Sequence, residues 1–271
     1  MKKSLIALAV VASTVVFGSS MAANTVTPGA WIPNGTVGVV ELSGTLTPQD
    51  KVTPWEISTG APVTNLDGFV QKGQQNVSVH VTNAIPVLGI RTQLKEAFQG
   101  QPGIAPQIDF KGAIDAQNFS GGRTTLTLDV KNVQAQKIGH LKVPFFAGAE
   151  YSFKGDGSSG KLFMSGDKAG DAFYGGLGMN RQSVGGIGKN DIESRIRSLN
   201  PQYLANFNDQ GASYNGNAPT SNNFADTKYS FSAYYGAGIE AGNKIKIILD
   251  TPAASEAIVW RASLPIAVSY Q

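Results

Sequence analysis

The sequence contains no cysteine and only two histidines, His80 and His140, among its 271 residues. The lack of cysteine excludes disulfides, iron–sulfur clusters, thiolate nucleophiles and zinc sites built on thiolates. Two histidines leave little for a histidine-rich metal site or a histidine-dependent catalytic triad. We therefore predict no catalytic residues, no metal and no cofactor.

Charged side chains are also scarce. They make up 15% of the chain, against about 25% in an average soluble protein. Glycine, by contrast, supplies 32 residues, which is well above its usual share of about 7%. Hydrophobic residues reach 41%, which is too many for a disordered chain. This balance indicates a β-rich protein with many turns.

The first 22 residues have the pattern of a secretory signal peptide. The pair Lys2-Lys3 precedes an apolar run from Leu5 to Phe17, and small residues follow. This pattern predicts cleavage between Ala22 and Ala23. Removal of the two lysines lowers the formal charge from +3 to +1. Because no cluster of Lys or Arg remains, nucleic acid is not an expected partner.

The mature chain alternates apolar and polar residues over many short runs. Clear examples are Val77–Val81, Leu126–Val130, Leu141–Phe145, Tyr229–Tyr235 and Ile245–Leu249. Glycine-rich turn signals separate the runs. The pattern is typical of antiparallel sheets with one buried face, and it predicts an all-β sandwich.

Two segments break this alternation and predict short helices. Asn190–Leu199 has apolar residues at helical spacing behind a candidate capping box. Arg91–Phe98 is long enough for a turn or two of helix. Residues 154–226 are rich in loops, which we interpret as an insertion in one sandwich rather than as a second domain.

The C-terminal run is an apolar strand. Leu264, Ile266, Val268 and Tyr270 share one face, and the sequence stops at Gln271. A strand this apolar needs a neighbour on each side. If one neighbour is missing, an open edge and an open hydrophobic groove result.

The N-terminal part of the mature chain has the opposite character. Residues 23–38 are rich in proline and glycine, whereas Val40, Leu42, Gly44 and Leu46 share an apolar face. This segment is either the first strand of its own sandwich or a strand that completes the groove of a neighbouring molecule.

Several motifs resemble those of the FaeG-like subunits of chaperone–usher fimbriae. Val40–Leu46 is similar to the N-terminal donor segment of that family, and Trp55-Glu56 falls where the family has Trp-Glu-Trp. One block of the family is similar to Pro86–Gly89, Lys95–Phe98 and Pro106–Phe110, and another is similar to Phe173–Leu177 and Asn190–Ile192. Trp260–Tyr270, with its penultimate tyrosine, resembles the last strand of the family. The likeness extends over essentially the whole mature chain.

This resemblance implies an incomplete immunoglobulin-like sandwich that lacks its last strand and is completed by a donor strand. Residues 23–46 would form the donor-strand extension, and residues 47–271 would form the pilin domain. A periplasmic chaperone would first bind the C-terminal strand through its apolar face, which is formed by Leu264, Ile266, Val268 and Tyr270. An outer-membrane usher would then exchange the chaperone for the next subunit.

The resemblance also implies the remaining partners and the location. These partners are further copies of the chain, minor fimbrial subunits and a host glycoconjugate receptor. The protein would pass through the periplasm and reside in a fimbria on the cell surface. Phe173 and Tyr174 could stack on a sugar, with Arg181 as a further candidate, although such aromatic residues more often belong to the core.

Nucleotide binding is poorly supported by the sequence. Gly155–Lys161 fits the spacing G-x-x-x-x-G-K, but Leu162 stands where a phosphate loop requires Ser or Thr. A glycine-rich turn between two strands explains this motif better.

Three functions remain from different classes. The first is a fimbrial structural subunit, major or minor, that contributes to adhesion. The second is an outer-membrane β-barrel, although runs of five to seven residues are short beside the roughly 9–11 of a membrane strand. The third is a free secreted carbohydrate-binding protein or hydrolase. We favour the fimbrial subunit.

Overall fold

The computed structural model describes residues 42–47, 52–180, 184, 191–216 and 218–271. The chain divides into two compact units, Met1–Asp50 and Lys51–Gln271. In the first unit, residues 42–47 lie in no helix or strand, and all six are exposed. The predicted cleavage site at Ala22 and Ala23 lies outside the described residues, as does Val40.

The regular secondary structure of the second unit is mainly β-strand. One α-helix, α1 (Asp191–Leu199), and a 3-10 helix (Pro201–Leu204) are found in its described part. The strands described there are β1 (Trp55–Thr59), β2 (Asn76–His80), β3 (Ile85–Thr92), β4 (Phe98–Gln99), β5 (Pro106–Asp109), β6 (Arg123–Lys131), β7 (Lys137–Gly155), β8 (Ser158–Phe163), β9 (Tyr229–Ile239), β10 (Lys244–Leu249) and β11 (Ala267–Tyr270). The predicted all-β class is confirmed.

The 19-residue strand β7 organises the larger sheet. Its first half pairs with β6 and β10, and its second half pairs with β8 and β9. Among the described residues this sheet follows the order β1-β3-β9-β7-β10-β2, with β4 added on β9. A separate antiparallel pair, β5 with β11, forms a second layer. The strands therefore form an open sandwich rather than one continuous layer.

The main core is rich in aromatic side chains. Trp55 is buried and donates a hydrogen bond from Nε1 to the carbonyl oxygen of Ile104 at 2.7 Å. Its ring packs edge-on against Phe98 at 5.1 Å and Phe173 at 5.8 Å between ring centroids. Such edge-to-face pairs add to the stabilisation that burial of the rings already gives.

A second, smaller core lies on the opposite face of β9. Ala233, Tyr235 and Ala237 point into the main core, whereas Tyr234 packs into the smaller core with Ile192 and other residues of the α1 region. The expectation of one buried face is therefore wrong for β9, because α1 and the 3-10 helix cover its other face. A strand enclosed in this way is apolar at nearly every position, and alternation alone does not reveal that both faces are buried.

A row of glycines allows this close packing of helix on sheet. Gly89, Gly236 and Gly148 are direct neighbours across β3, β9 and β7. A Cβ atom at Gly236 would lie 2.6 Å from Cγ2 of Ile196, and one at Gly89 would lie 2.1 Å from the ring of Tyr203. Since real Cβ contacts are essentially never so short, the two helices approach the sheet only because these side chains are absent.

One of the two predicted helices is confirmed and the other is wrong. Helix α1 begins at Asp191 and ends at Leu199 with Ile192 and Ile196 buried, while the proposed cap, Asn190, lies outside the described residues. Arg91–Phe98 is not helical. Arg91 continues β3 because it pairs with Glu56 of β1 and Tyr234 of β9, and the chain then turns into β4.

We expect Gly236→Ala to lower the free energy of unfolding by about 1–3 kcal/mol, because the added methyl group overpacks the smaller core against Ile196. Urea unfolding followed by tryptophan fluorescence measures the change. In the Ile196→Ala background the same substitution should cost less, since the clashing atoms are gone. An equal cost in both backgrounds would contradict the close-packing explanation.

Candidate functional site

The C-terminal strand has a row of apolar side chains that are only partly buried. Leu264, Ile266, Val268 and Tyr270 are each half-buried against the main core, whereas Pro265, Ala267 and Ser269 between them are exposed. The predicted apolar face of this strand is therefore the face that meets the core. Its partial exposure is what remains when the strand has a neighbour on one side only.

The backbone of this strand is paired on one side. Gln271 exchanges both backbone hydrogen bonds with Ala105, at 3.0 and 3.1 Å, and Arg261 exchanges both with Lys131, each at 2.9 Å. In an antiparallel ladder alternate residues direct their backbone groups to the same side. Since Gln271 faces β5, Ala267 and Ser269 face it too, and Val268 and Tyr270 direct their N–H and C=O groups to the other side.

Among the described residues β11 pairs with β5 and with no other strand. The C-terminal strand thus combines two unsatisfied features at one place. A half-covered apolar row is formed by the side chains of Leu264, Ile266, Val268 and Tyr270, and an unpaired ladder edge is formed by the backbone groups of Val268 and Tyr270. This edge, which we call the open edge, comprises Leu264, Ile266, Val268 and Tyr270, and it fits an added β-strand.

The predicted donor residues of the first unit are available to solvent. Leu42 is 93% exposed and Leu46 is 96% exposed, and Gly44 between them has no atom within 4 Å of the position of a Cβ. Large apolar side chains in extended chain are normally covered in a stable assembly. Leu42, Gly44 and Leu46 therefore have the alternating pattern of a β-strand, but no sheet covers them.

The candidates for sugar contact are in different environments. Phe173 is fully buried, and its ring stacks on Tyr235 at 5.4 Å between centroids. Tyr174 is half-buried and lines a cleft of about 410 Å³. Arg181 lies outside the described residues. Of the three candidates, the structure therefore leaves Tyr174 as the aromatic residue that a ligand in this cleft could touch.

The cleft around Tyr174 lies at the end of β11. Its lining includes Asp109 of β5 and Ser269 and Gln271 at the C-terminus. Lys111 donates a hydrogen bond from Nζ to Oδ2 of Asp109 at 2.6 Å, which holds the pKa of that carboxyl below its ordinary value. The cleft thus offers an aromatic ring beside a charged carboxylate and amide groups, which is a set of groups that can bind hydroxyls.

Glu150 is a fully buried carboxyl group in β7 beneath α1. The hydroxyl of Tyr214 donates to its Oε1 at 2.6 Å, and that of Tyr234 donates to Oε2 at 2.5 Å. Burial raises the pKa of Glu150, while these two hydrogen bonds and the charge of Lys161 oppose that rise. The sequence analysis missed this group, although a lone acid within the apolar run Phe145–Tyr151 is a signal for it.

The comparisons with known proteins agree with one another. A profile of the family described as "Fimbrial, major and minor subunit" matches residues 1–271. K88 fimbrial protein AD and K88 fimbrial protein AB of Escherichia coli are each 30% identical to the chain, and each alignment covers all of both proteins. F41 fimbrial protein of Escherichia coli is 27% identical, again over the full length of both.

The chain belongs to this family of fimbrial subunits. Membership confirms the resemblance that the motifs indicated, and among the three classes raised by the sequence it selects a fimbrial structural subunit. A fimbrial subunit is a structural protein and not an enzyme, and it assembles with copies of itself and with related subunits in a surface fimbria. In the described part of the chain, no helix combines the length and hydropathy needed to cross a lipid bilayer.

We expect the buried carboxyl of this fimbrial subunit to make its stability depend on pH. Because the folded-state pKa of Glu150 is raised, the folded chain keeps a proton that the unfolded chain releases near its ordinary value of 4.5. Stability should therefore fall as pH rises from that value through the folded pKa. Urea midpoints across this interval should change less in Glu150→Gln than in the unsubstituted protein.

The exposed residue Glu256 provides the control for this experiment. Glu256→Gln should retain the pH dependence of the unsubstituted protein. If Glu150→Gln retained it too, the buried carboxyl would not be its source.

Proposed function

We propose that this fimbrial subunit polymerises by donor-strand exchange. The N-terminal extension, residues 23–46, of one copy would lie along the open edge of the next, with Val40, Leu42, Gly44 and Leu46 directed to its core. The observation that carries this proposal is the half-buried row on the C-terminal strand together with its unpaired backbone side.

The two segments match in length and periodicity. Val40 to Leu46 and Leu264 to Tyr270 each span six residue steps, or about 20 Å of extended strand. Each presents four positions on one face. An antiparallel register would place Leu46 near Leu264 and Val40 near Tyr270.

Burial and backbone pairing would both stabilise this arrangement. Each Val or Leu that passes from water into the groove contributes about 1.5–3 kcal/mol. The ladder hydrogen bonds would satisfy the free groups of Val268 and Tyr270, and the alternating side chains would fix the register. Gly44 would add little burial and would suit a place where the groove is shallow.

The same edge explains the need for helper proteins. Before assembly, an open apolar edge exposes the subunit to aggregation. We infer that a periplasmic chaperone covers it after export, which the signal peptide with cleavage between Ala22 and Ala23 would direct. An outer-membrane usher would then replace the chaperone with the extension of the next subunit.

We further propose that the subunit contributes to adhesion by binding a host glycoconjugate in the cleft beside Tyr174. The half-buried ring offers an apolar face for a sugar, and Asp109 and Gln271 offer polar contacts. Phe173 would support the site from the core rather than touch the ligand, since it is fully buried.

Substitution at the open edge tests the polymerisation proposal. Val268→Asp places a charge on the face that would meet both chaperone and donor strand, so we expect loss of the chaperone complex and of fibres. Ser269→Asp is the matched control, because Ser269 lies on the same strand with its side chain exposed. Co-expression with the matching chaperone and usher, followed by electron microscopy of surface fractions, measures the effect.

A substitution in the donor segment distinguishes the role of the N-terminal extension from that of the open edge. Leu42→Asp should bind the chaperone normally and yet fail to extend a fibre, because only its donor segment is damaged. Normal fibres from Val268→Asp, or equal defects from Val268→Asp and Ser269→Asp, would contradict the proposal.

The cleft proposal gives a separate expectation. Tyr174→Ala should lower the binding of assembled fibres to host-cell glycoconjugates at least several-fold without reducing the amount of fibre. Phe69→Ala removes a fully exposed aromatic ring that does not line the cleft, so it should bind normally. Unchanged binding by Tyr174→Ala would exclude the cleft as the receptor site.

A further inference from the structure

An exposed apolar patch lies at the beginning of the C-terminal strand. Val133 and Val259 are each more than half exposed, and Ile258 is 37% exposed. The backbone bridge between Lys131 and Arg261 brings the β6–β7 turn beside the chain that leads into this strand. We call Val133, Ile258 and Val259 the acceptor patch.

The acceptor patch is held in place by Arg261. Its Nε donates to the carbonyl oxygen of Asn132 at 3.2 Å, and its Nη2 donates to the carbonyl oxygen of Val133. Val133 lies in the β6–β7 turn, and Ile258 and Val259 lie in irregular chain just before the bridge. The hydrogen bonds of Arg261 therefore tie together the two segments that carry the apolar side chains.

A second exposed apolar pair lies where the body of the subunit begins. Val52 is 85% exposed and Leu94 is 62% exposed. The backbone N–H of Gln93 donates to the carbonyl oxygen of Pro54 at 2.7 Å, which extends the β1–β3 ladder and brings the two side chains to the same end. We call Val52 and Leu94 the donor patch.

We propose that the donor patch of one copy packs on the acceptor patch of the next, and forms a second contact between the bodies of consecutive subunits. This inference rests on the proposed strand exchange, because the inserted strand brings the two patches together. The occupant of the acceptor patch is thus a second copy of this chain.

The direction of the inserted strand decides which ends meet. Every named strand pair among the described residues is antiparallel, and antiparallel ladders are slightly more stable than parallel ones. An antiparallel donor strand would run from the end at Gln271 toward the end at Arg261. Leu46 would then lie near Leu264, and the chain would leave the groove beside the acceptor patch.

The length of the connecting chain keeps the donor body close to that end. Six residue steps separate Leu46 from Val52, so the connection spans at most about 21 Å. Leu264 lies three residue steps, about 10 Å, from Arg261 and seven steps, about 23 Å, from Gln271. The connection therefore reaches the acceptor patch easily, whereas the cleft at Gln271 lies beyond its full length.

Cross-linking in assembled fibres tests this contact, and the natural absence of cysteine makes it clean. The double variant Leu94→Cys with Val259→Cys should give a ladder of covalent oligomers when fibres are treated with a short bismaleimide. The matched control is Leu94→Cys with Ala169→Cys, since Ala169 is exposed and lines the cleft beside Gln271 at the opposite end. The control should give no ladder.

The outcomes separate this inference from the proposed function. If fibres form and the ladder appears only in the control, or in neither variant, the end-to-end contact is wrong while strand exchange stands. If the unsubstituted chain forms no fibres that depend on residues 23–46, strand exchange fails and the inference fails with it.

A charge exchange provides a second test that needs no cross-link. Val259→Asp alone and Leu94→Lys alone should each lower the urea concentration at which fibres dissociate. The double variant should recover most of that loss, because the opposite charges would meet across the contact. Independent effects that simply add would overturn the proposal.

Discussion

The fold depends on a strand that has core on one face and a partner on only one edge. Leu264, Ile266, Val268 and Tyr270 contribute to the main core, yet each remains partly in contact with water. The rings of Trp55 and Tyr235 in the same core are buried. A single strand added along the exposed row would cover it.

On the opposite side of the sandwich, a helix packs closely on the sheet and covers it. The glycine row at Gly89, Gly148 and Gly236 lets α1 lie close to the sheet, and the buried carboxyl of Glu150 binds two tyrosine hydroxyls beneath it. This layer is closed and needs no external strand. The subunit thus combines a finished face, which can vary in its loops, with an unfinished edge that is available for assembly.

Much of this architecture could be predicted from the sequence. The period of two in Leu264–Tyr270 predicted the apolar face of the last strand, because side-chain alternation is a local property of extended chain. The same local reasoning failed for Arg91–Phe98, where pairing with Glu56 and Tyr234 decides the conformation. Local patterns do not report which distant strands will pair.

In the candidate site, too, local patterns could be predicted from the sequence and long-range pairing could not. The pairing of β11 with β5 joins residues about 160 positions apart, so no local signal could reveal which edge stays open. Phe173 and Tyr174 are adjacent in sequence, but one is fully buried and the other lines a cleft.

Amide hydrogen exchange at Ile266, Val268 and Tyr270 tests the central claim, that the C-terminal strand accepts a donor strand, most directly. The experiment compares assembled fibres with the unassembled subunit. The account predicts strong protection on assembly at these three amides, and equal exchange in both states would contradict it.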